Sequence, residues 1–64
     1  MNNIQTEKIR IILKATMKQL MDIEELKQSG VLSPQVAQEY QDIIIDVFRM
    51  QRDNYVQKAQ ELCA

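Results

Sequence analysis

Between Ile4 and Gln28 apolar residues recur at three- and four-residue intervals, with no glycine or proline to interrupt them. At about 100° per residue, Ile9, Ile12, Leu13, Met17, Leu20 and Ile23 fall on one face, which predicts an amphipathic helix. Asn2, Asn3 and Thr6 are all suitable caps, so the start is open by a turn. Thr16 interrupts the stripe near its middle and predicts a close helix approach, with its hydroxyl bonded back to the preceding turn. Ile4, Ala15 and Leu26 flank the stripe on one side and Met21 on the other, with Ile11 further round. That is more apolar surface than one neighbouring helix covers.

A second uninterrupted run extends from Pro34 to about Leu62, roughly 28 residues or about 42 Å at 1.5 Å per residue. Ala37, Tyr40, Ile44, Phe48, Tyr55 and Leu62 form a seam with Gln41, Gln51 and Ala59 beside it. Val36, Ile43, Val47 and Met50 run along one edge, and Ile45, Val56 and Cys63 along the other. Gln51 reads either as a helix-favouring residue whose amide reaches water or as a buried polar residue that fixes register. Tyr40 and Tyr55 read as amphipathic packing residues at the rim of a core.

The chain's single glycine and single proline both lie in Ser29-Gly30-Val31-Leu32-Ser33-Pro34. Gly30 suits the left-handed position that ends a helix, which makes Leu26 and Val31 the pair that touches across a Schellman ending. Ser33 is placed to cap the next helix, and Pro34 occupies its first position, where a missing N–H costs nothing. Leu32 and Ala37 complete a weak hydrophobic staple. The predicted fold is therefore all-α, one helical-hairpin domain over residues 1–64: a helix over about 4–28, a turn over 29–33 and a helix over about 34–62.

A chain of 64 residues buries only about 60% of its unfolded surface and is marginal alone. One cysteine excludes an internal disulfide, and with no histidine a structural zinc site has no ligand set. Self-association is the remaining remedy. No apolar run approaches the roughly 18 residues of a membrane span and the N-terminus lacks a signal-peptide pattern, so the expected location is cytoplasmic, without membrane attachment.

Charge adds an orientation. Residues 1–18 sum to about +3, residues 19–46 to about −5, and residues 47–64 are again basic. Folding the arms together sets two basic segments side by side and leaves an acidic turn. Asp22, Glu24 and Glu25 approach the C-terminal end of the first helix, where its dipole disfavours anions, so local physics does not account for them. Antiparallel pairing of two hairpins would set acidic ends against basic ends. The sequence thus predicts an antiparallel homodimer forming a four-helix bundle, with a core of Ile9, Leu13, Met17, Leu20, Ile23, Tyr40, Ile43, Ile44, Val47, Phe48, Met50 and Tyr55.

Chemistry is sparse. There is no base beside a nucleophile, and Cys63 reads as a small apolar residue of the last turn or a thiol able to crosslink two chains. Asp42 and Asp46 are spaced for one helix face, but two carboxylates are a weak cation site. The expectation is a non-enzymatic protein with no cofactor, metal or small-molecule substrate. Arg10, Lys14 and Lys18 are candidate phosphate contacts.

The layout resembles the Rop-type RNA-binding copy-number regulators, helical hairpins of comparable length that dimerise into four-helix bundles; the resemblance is one of architecture and implies RNA binding only as an alternative. Leu32-Ser33-Pro34-Gln35-Val36 followed by Gln41 is loosely similar to the hinge of the Spo0E-type aspartyl-phosphate phosphatases. That family's Ser-Gln-Glu-Leu-Asp signature falls on Tyr40-Gln41-Asp42-Ile43-Ile44, where the glutamine alone agrees and an isoleucine replaces the essential aspartate, so the family is not assigned. The expected function is a small interaction or regulatory module acting on itself or on a helical protein partner. The alternatives are a chaperone or adaptor for a helical client, such as a secretion-system chaperone, and the RNA-binding regulator.

Overall fold

Two helices fold back on each other through the glycine-proline turn. The computed structural model describes residues 3–63, with the side chains of Leu62 and Cys63 outside the described set; the sequence readings that fall on Asn2 and on those two side chains lie outside the described residues as well. Helix α1 spans Asn3–Gln28 and helix α2 spans Pro34–Cys63, and they pack against each other along their length.

The turn is closed by backbone hydrogen bonds. The Val31 amide donates to the Leu26 carbonyl at 3.0 Å and the Gly30 amide to the Lys27 carbonyl at 3.1 Å, the two bonds of a Schellman ending. Gly30 has a φ of 82°, the left-handed conformation the motif requires. Val31 remains 69% exposed, so little of it is shielded by the turn. On the other side, the Ser33 carbonyl accepts the first bond of α2 from Ala37 at 2.9 Å, and Ser33 Oγ accepts from the Val36 amide at 3.2 Å. No atom lies within 4 Å of the position a Cβ would take on Gly30. Gly30→Ala is therefore expected to cost only the left-handed backbone term, about 1–2 kcal/mol, and Gly30→Asn less; thermal melts of the two variants check the order.

Along α1 the side chains turned toward α2 are Gln5, Ile9, Ile12, Thr16, Leu20 and Ile23, all at least partly buried. Along α2 they are Ala37, Gln41, Ile44, Phe48, Tyr55 and Ala59. Both rows repeat at three and four residues, the spacing by which two helices interlock. Thr16 Oγ1 donates to the Ile12 carbonyl at 2.7 Å, which satisfies the hydroxyl inside the seam. The tightest part lies near the turn, where Ala37 is fully buried and Ile23 is 8% exposed, each seven residues from Gly30.

The result is a single layer. Its Cα extents are 49 × 16 × 8 Å, and its radius of gyration of 14.9 Å compares with about 11 Å for a compact chain of this length. Both broad faces are uncovered. Among the described residues no helix is long and apolar enough to cross a membrane.

Candidate interaction surface

The two helices leave a trough between them on one broad face. Ile12, Thr16 and Ile44, all partly buried, form its floor, while Ala15 opens the α1 side because its methyl is too short to fill it. Ile43 and Val47 make the α2 wall, 59% and 47% exposed, and Gln19 and Gln51 stand at the rim. The hollow measures about 420 Å³. Helical register at about 100° per residue continues this face with Ile4, Lys8, Ile11 and Leu26 on α1 and with Val36, Tyr40 and Met50 on α2.

The opposite face is more polar. Leu13, Met17 and Met21 run along it on α1, with Val56 on α2, but Arg10, Arg49 and Arg52 share the same register. A shallower recess of about 280 Å³ near the chain ends is lined by Gln5, Thr6, Ile9, Val56, Ala59 and Gln60. Arg52 lies over the Phe48 ring, 5.9 Å from its centroid, and also holds Asp53 at 3.0 Å.

Of the residues predicted for the core, Ile9, Leu20, Ile23, Ile44, Phe48 and Tyr55 are buried or half-buried within one hairpin. Leu13, Met17, Tyr40, Ile43, Val47 and Met50 lie 43–71% exposed on its faces. The contact seam of α1 is thus centred on Ile12 and Thr16, and Leu13 and Met17 fall to its edge. Gln51 is exposed at the trough rim. Ala15, which in the sequence only flanks the stripe, is what makes the hollow, and the residues around it on α1, Lys14, Thr16, Lys18 and Gln19 among them, do not single it out.

The charged groups sit around these faces. Lys8 lies over the Tyr55 ring at 5.7 Å. Of the basic row, Arg10 pairs with Glu7 at 3.6 Å and Lys18 with Asp22 at 3.3 Å, while Lys14 is exposed. Near the turn Glu24 accepts from Gln28 at 3.0 Å and pairs with Lys27 at 3.1 Å. These hydrogen bonds, Gln28 first and then Lys27, with the Lys27 charge and a contribution from Gln41, hold its carboxyl below the usual glutamate range. Asp42 accepts from Gln38 at 2.9 Å. Among the described residues no three acidic or cysteine side chains gather as a metal site.

Chemically, the trough offers aliphatic side chains, one satisfied hydroxyl and two rim amides. Its lining is mostly apolar, and no titratable group lines it. Comparison of this chain with protein-family models, with curated proteins and with solved structures finds no match in any of the three.

Proposed function

We propose that the hairpin is a non-enzymatic interaction module whose working form is an antiparallel homodimer, two hairpins closing into a four-helix bundle. The observation that carries this reading is the uncovered layer: a single pair of helices whose Cα atoms span only 8 Å in depth, with large apolar side chains such as Ile4, Ile11, Ile43 and Met50 59–71% exposed. Stable domains cover such a layer with a second one. The chain exposes 5112 Å², roughly 900 Å² above the ~4,250 Å² of a compact protein of 7.5 kDa. A standard interface buries about 800 Å² per partner, so one further hairpin accounts for the surplus.

The bipolar charge supports the antiparallel orientation, since a parallel pair would bring the acidic turn ends together. Binding to nucleic acid is less well supported because Arg10 and Lys18 already hold carboxylates. Sedimentation equilibrium from low micromolar concentration upward, with circular dichroism on the same samples, tests the proposal. The expected result is a highly helical dimer. A weakly helical monomer that becomes helical on addition of another protein would replace self-association with a heterologous client.

A further inference from the structure

The trough face is self-complementary about a single point, and from this we infer that the second hairpin docks on that face with the two-fold axis crossing Ala15 and Val47. The inference rests on the dimer proposed above and names its face and register.

Antiparallel stacking of two identical layers requires a two-fold axis that lies in the interface and runs across the helices. Such an axis sets α1 on the partner's α1 and α2 on the partner's α2, each reversed. Residues equally distant from the axis then meet. On α1 the trough-side positions are symmetric about Ala15: Ile11 and Gln19 lie four residues away, Lys8 and Asp22 seven, Ile4 and Leu26 eleven. These are the intervals at which a helix returns to the same face. The pairs they create are Ile4 with the partner's Leu26 and Lys8 with the partner's Asp22, an apolar contact and a charge pair, each made twice in the dimer. At the centre Ala15 meets its own copy, and a methyl group there permits close approach.

On α2 the same intervals about Val47 pair Ile43 with the partner's Gln51, Tyr40 with the partner's Asn54 and Val36 with the partner's Lys58. The Tyr40 hydroxyl gains an amide to bond with, and the methylenes of Lys58 cover Val36 while its ammonium stays in water. Ala15 and Val47 are thus the centres of these pairings on α1 and α2. The fold sets them at one level, for Ala15 and Val47 line the same trough. A parallel dimer would instead place α1 on α2, with Ala15 on the partner's Val47, Lys8 level with the partner's Asn54 and Asp22 level with the partner's Tyr40, so that neither charge meets an opposite one.

Lys8 and Asp22 are exposed, and Asp22 meets Lys18 through one carboxylate oxygen, Oδ2, only. The test is a charge-reversal cycle followed by sedimentation equilibrium at low salt. Lys8→Glu alone and Asp22→Lys alone each turn two attractive pairs repulsive, and each is expected to weaken the dimer about tenfold. The double variant Lys8→Glu with Asp22→Lys is expected to bind more tightly than either single variant, recovering most of the lost affinity, the remainder reflecting the lost Lys8–Tyr55 and Lys18–Asp22 contacts within each hairpin. In a Cys63→Ser background, Ala15→Cys should crosslink to its own copy under mild oxidation, because a disulfide needs Cα atoms within about 7 Å. A dimer that shows neither the rescue nor the Ala15→Cys crosslink overturns this face and register while leaving the dimer standing. A crosslink between Ala15→Cys and Val47→Cys chains, without either self-crosslink, overturns it in favour of the parallel arrangement. A monomer at every concentration overturns both this inference and the reading beneath it.

Discussion

Val47→Asp is expected to leave the chain monomeric at concentrations where the unaltered protein is a dimer. On a single hairpin Val47 is 47% exposed, so an aspartate there reaches water and strains nothing in α2. At the two-fold axis the same substitution sets two carboxylates against each other on a surface that has lost its water. Leaving a charge buried without a partner costs about 3–5 kcal/mol, which corresponds to a dissociation constant raised more than about a hundredfold. The sign with pH separates charge from shape. Desolvation and the opposing carboxylate both raise the pKa of the introduced acid in the dimer, so the dimer should recover as pH falls through that raised value and disappear again as pH rises. Sedimentation equilibrium at pH 7 and near pH 4 makes the measurement. A dimer unchanged at pH 7 would mean that the trough face is not the interface, whatever the oligomeric state.

The parts of this fold that were legible in the sequence are those fixed by local backbone chemistry. Gly30 admits a left-handed φ and Pro34, with its φ already helical and no N–H to satisfy, suits the first position of a helix behind the Ser33 cap, so the turn and both helix ends next to it follow from six residues. The contact seam was harder to place because apolar residues cover well over a third of the circumference of α1. A stripe that wide has no unique centre. Counting bulky side chains alone draws it toward Leu13 and Met17; the structure centres it on Ile12 and Thr16, whose hydroxyl is satisfied inside the seam by the backbone of its own helix. Thr16 was therefore a better guide than the hydrophobic residues around it. The trough was missed for a related reason. A hollow is produced by what a side chain lacks, and Ala15 carries no mark in the sequence until Ile43 and Val47 are known to stand across from it. Charge, by contrast, was visible at once as segment sums, but its use depends on register, which required the two helices to be aligned against each other.

Phe48→Ala is expected to unfold the chain at temperatures where the parent is stable, for reasons that do not involve the trough face. Phe48 belongs to the seam within one hairpin, half-buried against α1 with Arg52 over its ring at 5.9 Å. Truncating a phenylalanine in a packed site costs about 3–5 kcal/mol; partial exposure puts this one near the lower end, and the lost cation–π contact adds about 0.5–1 kcal/mol. A core of this size supplies only about 3–5 kcal/mol in total. The substitution therefore removes most of what holds α1 to α2. Because a pair of unfolded arms has no layer to offer, dissociation should accompany unfolding, and the midpoint should rise with protein concentration. At fixed concentration the melt followed by circular dichroism should fall by at least about 12 °C, taking 4–8 °C per kcal/mol for a chain this short. Met21→Ala is the control: Met21 is 69% exposed on the opposite face, so its loss should stay within about 0.5 kcal/mol. If the two variants melted alike, Phe48 would not be a seam residue, and the helices would have to be held together by the buried cluster near the turn alone. The contrast with Val47→Asp is the sharper consequence. Val47→Asp acts on the contact between hairpins and is reversed by acid, whereas Phe48→Ala acts within a hairpin and removes no charge, so acid should not restore it.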